Sequence, residues 1–121
     1  MSRPSSLTIS QAARRIASGD LSPVELVQDC LDVIEKLEPR LRAWETIDRP
    51  GSMDAAHAAA NEIAKNGVRG PLHGIPFAVK DLYYTNGVRT MGGLQCFAAA
   101  AECHPAQTSA SSQSTTTRVP T

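Results

Sequence analysis

Residues 70–81 read GPLHGIPFAVKD, a segment in which helix breakers lead into a short apolar run. The Gly and Pro residues of its first half interrupt any helix, and residues 77–79 are apolar, which is typical of a buried strand. The run ends at two charged residues, Lys80 and Asp81. The segment therefore predicts a turn, a short buried strand and a charged pair at the end of that strand.

Lys80 has two interpretations at this position. In the first, its ammonium group pairs with Asp81 or extends to solvent, because an unpaired charge is costly to bury. In the second, burial lowers the pKa of the lysine so that its neutral form acts as a base. The spacing of the two residues alone does not decide between these interpretations.

Two helices are predicted upstream from their capping residues and apolar stripes. The first lies in the region of residues 7–18, where Thr8 and Gln11 form a capping box at its start and Gly19 ends it. The second covers residues 23–38, because Ser22 caps it, an apolar stripe follows, and Pro39 prevents its continuation.

A third helix is predicted to open at Ser52, in a segment rich in alanine, and to end at Asn66-Gly67. His73 lies between the third helix and the strand, and we expect it to line a turn rather than to perform acid-base chemistry.

The composition limits the chain to one domain and excludes some partners. It has 121 residues, 41% of them hydrophobic, and 12 basic residues balance 12 acidic ones. The neutral balance argues against nucleic acid or an anionic membrane as a partner. The absence of a long apolar run argues against a membrane span, and three irregularly spaced cysteines fit a reducing compartment. We therefore expect a cytoplasmic protein.

The motif resembles the lysine-bearing segment of the amidase signature family. The resemblance rests on residues 70–82, on Thr85, residues 87–90 and Gly92 after them, and on the SPVEL phrase at residues 22–26. It covers residues 7–93, about three-quarters of the chain.

The resemblance implies an α/β fold, in which helices cover a mixed sheet, and this chain would hold three helices and the first one or two strands. It also implies hydrolysis of a carbon-nitrogen amide bond in a small molecule by a Ser-Ser-Lys triad. Lys80 would be the catalytic lysine, with a supporting role for Asp81. This chemistry requires neither a metal nor an organic cofactor.

The sequence departs from the family after residue 93. The family carries both serines in a segment of the form GGSSGG, and the chain has none. The pair Ser111-Ser112 lacks neighbouring glycines and is not assigned to the triad. We expect residues 1–93 to be the N-terminal part of an amidase domain. We expect residues 94–121, a tail rich in Ser, Thr and Ala, to be disordered or translated out of frame. Such a truncated chain would be inactive alone.

Two alternatives to a general amidase are compatible with the sequence. The chain could be a noncatalytic helical fragment that binds a partner or self-associates through the unpaired strand. Within the family it could resemble the A subunit of an aminoacyl-tRNA amidotransferase, although Leu82, where that subunit usually has Asn, favours the general amidases.

Overall fold

The computed structural model describes residues 3–85 and 87–92, together with the backbone of residues 116–119. The elements in chain order are a 3₁₀ turn at Pro4–Ser6, α1 (Ile9–Ser18), α2 (Pro23–Leu41), α3 (Arg49–Asn66), β1 (Phe77–Lys80) and β2 (Thr116–Val119). The described residues therefore confirm an α/β chain with three helices and the short strand β1 that carries the motif. The predicted domain boundary at residue 93 lies outside the described residues, as does the tail apart from β2.

The starts of α1 and α2 follow the predicted capping boxes. Thr8 and Gln11 cap α1 reciprocally, and Ser22 and Glu25 do the same for α2. Each box satisfies backbone N–H groups that have no partner inside the helix. Gly19 ends α1 in the left-handed conformation with φ of 82°. The sequence thus predicted both helix starts correctly.

The predicted end of α2 at residue 38 is wrong, because the helix continues through Pro39 to Leu41. Proline removes one helical N–H but does not prevent the following residues from adopting helical angles. The end is stabilised instead by the Glu38 carboxylate, which accepts the backbone N–H groups of Ala43 and Trp44 at 3.1 and 3.0 Å. The polypeptide leaves the helix at Arg42, whose φ is 46°.

The predicted start of α3 at Ser52 is three residues late. Asp48 caps the helix by accepting the Gly51 N–H at 2.9 Å, and Pro50 occupies its first turn. Ser52 is instead buried inside the helix. The predicted end at Asn66 and Gly67 is confirmed.

The core lies among the helices and the residues that connect them. One cluster joins α1 to the start of α2, and a second joins α2 to α3. The first contains Ala12, Ile16, Leu21 and Leu26, and the second contains Val27, Leu31 and Ala56. Ile63 of α3 and Ile75, just before β1, pack against the first cluster. The helices therefore fix the point at which the chain enters β1.

β1 is not the buried strand that the apolar run predicted. Phe77 is 45% exposed, and Ala78 is exposed as well. A strand is buried on both faces only when other elements cover both faces, and the described part of the chain does not supply that cover. β1 is also not unpaired, since it pairs in parallel with β2, in a register that sets Phe77 opposite Thr116.

At Gly74 the backbone of the turn that leads into β1 packs against α2. Its φ is 84°, and a Cβ atom there would lie 2.7 Å from Cγ of Pro23. A side chain at this position would therefore meet both an unfavourable backbone conformation and a steric clash.

We predict that Gly74→Ala lowers the free energy of unfolding by about 2–4 kcal/mol, from left-handed strain and overpacking. Urea titration measures it. Gly70→Ala is the matched control, because nothing lies within 4 Å of its Cβ position and its φ is not positive. An equal loss in both variants would contradict the account.

A second prediction concerns the tie between the N-terminal turn and α2. Asp29 accepts the Ser5 N–H at 2.8 Å and a guanidinium N–H of Arg3 at 3.1 Å. These hydrogen bonds lower the pKa of Asp29 to about 2.

Because the folded-state pKa of Asp29 lies below the unfolded value of about 3.9, its stabilisation is present above pH 4 and is lost as the pH falls towards 2. We expect Asp29→Asn to lower the free energy of unfolding at pH 7 by about 1 kcal/mol, after solvent screening. The difference from wild type should shrink below pH 4 in urea titrations. A difference that is constant between pH 6 and pH 2 would contradict this.

Candidate functional site

Lys80 and Asp81 lie at the carboxyl end of β1 and differ completely in exposure. Lys80 is exposed, whereas Asp81 is only 2% exposed. Successive side chains of a strand point to opposite faces, so a charged pair at a strand end divides between solvent and interior. Lys80 forms no ion pair with any described residue, Asp81 included.

These positions correct two expectations about Lys80. The pairing with Asp81 is wrong, because the strand alternation separates the two side chains. The burial of Lys80 is wrong for the described chain, because β1 itself is exposed. In the structure the ammonium group of Lys80 extends to solvent, as the remaining part of the first interpretation predicted.

Asp81 holds the end of the loop that follows β1. Both of its carboxylate oxygens accept the backbone N–H of Met91, at 3.1 and 3.0 Å, and its carbonyl oxygen accepts the Gly92 N–H at 3.1 Å. Met91 is buried. A carboxylate that accepts hydrogen bonds from backbone N–H groups offsets part of the cost of its own burial. Asp81 therefore anchors the returning chain directly beside Lys80.

The loop between these anchors has its own internal hydrogen bonds. The Tyr83 N–H donates to the Lys80 carbonyl at 3.1 Å, and the Thr90 hydroxyl donates to the Tyr83 carbonyl at 3.2 Å. Thr85 and Val88 form an antiparallel bridge. The backbone on which Lys80 stands is thus tied on its C-terminal side by short-range contacts.

An apolar groove of about 290 Å³ lies between α2, Trp44 and β1. Its lining includes Val27, Cys30, Leu31 and Ile34 on one side and Phe77 and Ala78 on the other. Burial raises the pKa of the Cys30 thiol. A thiol that is more firmly protonated than usual is a poor nucleophile, so Cys30 acts here as an apolar packing group.

Among the described residues, no group of three or more His, Cys, Asp or Glu side chains could hold a metal ion. In the same part of the chain, no helix is both long enough and apolar enough to cross a bilayer.

The turn before β1 contains an arrangement that the sequence did not predict. His73 was expected to line the turn, and it does, but its ring also lies 3.5 Å from the Glu62 carboxylate of α3. Glu62 had no assigned role, because nothing in the spacing of a helix and a later turn shows that they meet.

A strand that ends at Lys80 directly before the buried Asp81, a turn with Gly70 and Gly74 before that strand, and three helices packed beside it define the class of protein. The family described as Amidase matches residues 25–110, and the chain belongs to that family.

Curated relatives are similar over the same region. The chain is 41% identical over 87 residues to the A subunit of glutamyl-tRNA(Gln) amidotransferase from Desulfosudis oleivorans, covering 72% of this chain and 18% of that protein. It is 44% identical over 91 residues to the protein of the same name from an Azoarcus species, covering 75% of this chain and 18% of that protein. The chain thus spans about a fifth of the length of these relatives.

Solved structures agree with this assignment. The native peptide amidase from Stenotrophomonas maltophilia superposes with a TM-score of 0.70 at 31% identity, over 76% of this chain and 20% of that one. A structure described as fatty acid amide hydrolase gives a TM-score of 0.71 at 25% identity, over 74% of this chain and 16% of that one. The described elements therefore match one segment of a larger amidase fold.

We predict that Asp81→Ala exposes the Met91 amide to exchange and lowers the free energy of unfolding by about 1–3 kcal/mol, because a buried N–H loses its acceptor. Asp81→Asn is the matched control, since its remaining oxygen still accepts that N–H. Hydrogen exchange at Met91 measures the effect. Equal protection in the alanine and asparagine variants would show that the carboxylate does not anchor the loop.

Proposed function

We propose that this chain supplies the lysine-bearing part of an amidase active site, in which Lys80 is the catalytic lysine. The observation that carries the proposal is the placement of Lys80 at the carboxyl end of β1, with its side chain exposed and its backbone anchored through Asp81. An exposed amine on a fixed backbone can reach a reacting group that another part of the enzyme brings to it.

The proposed chemistry is hydrolysis of a carbon-nitrogen amide bond in a small molecule. In its neutral form Lys80 would take a proton from a bridging serine, which in turn would deprotonate the serine nucleophile. Both serines would come from outside these 121 residues, which contain no GGSSGG segment. The chain by itself should therefore not turn over an amide. The supporting role of Asp81 is to hold the backbone beside Lys80 rather than to exchange protons.

A second candidate is a part of an amidotransferase. The names of the curated relatives favour it, since they specify the A subunit of glutamyl-tRNA(Gln) amidotransferase at 41–44% identity. A whole enzyme of that kind would have tRNA as a partner, so the neutral charge of this segment does not support the exclusion of nucleic acid. Leu82 after Lys80-Asp81 favours the hydrolytic branch. The cytoplasmic location stays a prediction for either candidate.

A noncatalytic role has one observation in its favour, the apolar surface at β1 and its flanks. Leu72, Phe77 and Leu82 are 63%, 45% and 54% exposed, and surfaces of this kind bind partners or a second copy. Size-exclusion chromatography and thermal melting followed by circular dichroism separate the alternatives, because a monodisperse species that melts cooperatively indicates an interaction fragment.

The test of the main proposal is a graft. Residues 3–92 replace the matching segment of the Stenotrophomonas maltophilia peptide amidase, and kcat/KM is measured on a peptide amide. We expect an active graft in which Lys80→Ala lowers kcat/KM by about 10²–10⁴. Lys80→Arg should be equally impaired, because a guanidinium group is not deprotonated in proteins.

Lys65→Ala is the matched control, since Lys65 is an exposed lysine in the last turn of α3. Full activity of the graft with alanine at position 80 would refute the assignment of Lys80.

A further inference from the structure

The His73 side chain is nearly buried in the turn that leads into β1. Its side chain is only 6% exposed. The turn follows α3, and Lys80 lies only seven residues after His73. A group that fixes this turn therefore also fixes the strand that presents the lysine.

The hydrogen bonding of the ring defines its protonation. Nδ1 of His73 accepts the backbone N–H of Arg69 at 3.1 Å. A ring nitrogen that accepts a hydrogen bond carries no proton, so the neutral imidazole must carry its proton on Nε2. The His73 N–H in turn donates to the Gly70 carbonyl at 3.2 Å. His73 thus stabilises the turn with two hydrogen bonds, one through its ring to Arg69 and one through its backbone to Gly70.

Nε2 of His73 faces α3. It is buried, lies 3.5 Å from Oε2 of Glu62 and makes no hydrogen bond. Oε1 of Glu62 pairs with Nε of Arg69 at 2.8 Å. Glu62 therefore interacts with two residues of the turn. It forms an ion pair with Arg69, and its carboxylate attracts the Nε2–H group of His73.

Among the described residues, only two charged side chains contact His73 or its partners. The charged groups in contact with His73 or its partners are Glu62 from α3 and Arg69 from the turn. α2 meets the neighbouring Gly74 with the uncharged ring of Pro23, and α3 adds the apolar side chain of Ile63.

We propose that His73 is a positioning residue for Lys80, and that it holds the turn as a neutral imidazole with its proton on Nε2. The inference rests on the proposed role of Lys80. It assigns to His73 no proton transfer in the reaction and no contact with the substrate. The ring acts through the Arg69 N–H and Glu62, which together fix the entry of the chain into β1.

Protonation should release the turn. A second proton would occupy Nδ1 and would face the Arg69 N–H, so an acceptor would become a donor. Glu62 already pairs with the Arg69 guanidinium, and its attraction for the charged ring does not replace the lost acceptor. The protection of the Arg69 amide should therefore fall when His73 is protonated.

The first measurement is nitrogen NMR of the full chain labelled in histidine, which requires no mutation. We expect a protonated Nε2 and an unprotonated Nδ1 for the neutral ring of His73. The opposite tautomer would overturn the proposal.

The second measurement is amide exchange at Arg69 and at Tyr83, whose N–H donates to the Lys80 carbonyl. His73→Asn places an acceptor oxygen near the Nδ1 position and should keep both amides protected. His73→Gln places its polar group near Nε2 instead, and exchange should rise about tenfold at Arg69, the factor typical of one lost hydrogen bond. A smaller rise is expected at Tyr83.

The pH dependence gives a readout that simple packing would not change. In wild type the exchange at Arg69, corrected for the intrinsic rate, should rise on acidification, whereas in His73→Asn it should be independent of pH. His57→Asn is the control, since His57 is exposed on α3. Equal exchange in the asparagine and glutamine variants would overturn the proposal.

The graft separates this inference from the proposed function. His73→Gln should lower kcat with little change in KM, while His73→Asn stays close to wild type. If Lys80→Ala leaves the graft active, the proposed function fails whatever the NMR shows. If Lys80 is essential and both His73 variants are fully active, the positioning role alone fails.

Discussion

The contact between Gly74 and Pro23 fixes where the chain leaves the helices and enters β1. A Cβ atom at Gly74 would lie 2.7 Å from Cγ of Pro23, so the backbone of the turn packs directly against the first residue of α2. Pro23 is itself held by the Ser22 capping box, and Ile75 packs into the core cluster of α1 and α2. The position of β1 therefore depends on helix capping some fifty residues earlier in the chain.

The charged pair at the end of β1 depends on that position. Because strand side chains alternate, a fixed strand sends Asp81 inward and Lys80 outward. The inward carboxylate then finds the Met91 N–H, and the loop closes beside the lysine. Asp81 thus stabilises the structure of the loop, and the Lys80 side chain stays exposed to solvent. A shift of one residue in the strand would exchange the two roles.

Much of the helical structure could be predicted from the sequence, because capping and helix termination are local. Thr8, Ser22 and Gly19 act through neighbours within a few residues, and the structure has all three as predicted. The predicted end of α2 before Pro39 was wrong because the Glu38 carboxylate stabilises a helix end beyond the proline. Asp48 was not predicted as a cap because the alanine-rich segment that indicates the helix begins only after it. The exposure of β1 could not be read from its apolar residues, since burial depends on which other elements cover a strand.

The proximity of His73 to Glu62 likewise could not be predicted, because it arises from tertiary packing between α3 and the turn before β1. The family resemblance identified the motif that contains His73 and Lys80, but the spacing of the residues did not indicate which of them anchor the motif.

The most direct test of the central claim, that packing of the turn on α2 positions β1, is a nuclear Overhauser measurement on the full chain. We expect cross-peaks between the Gly74 α-protons and the Pro23 ring protons. Helical cross-peaks throughout α2 and α3 without any between Gly74 and Pro23 would contradict it.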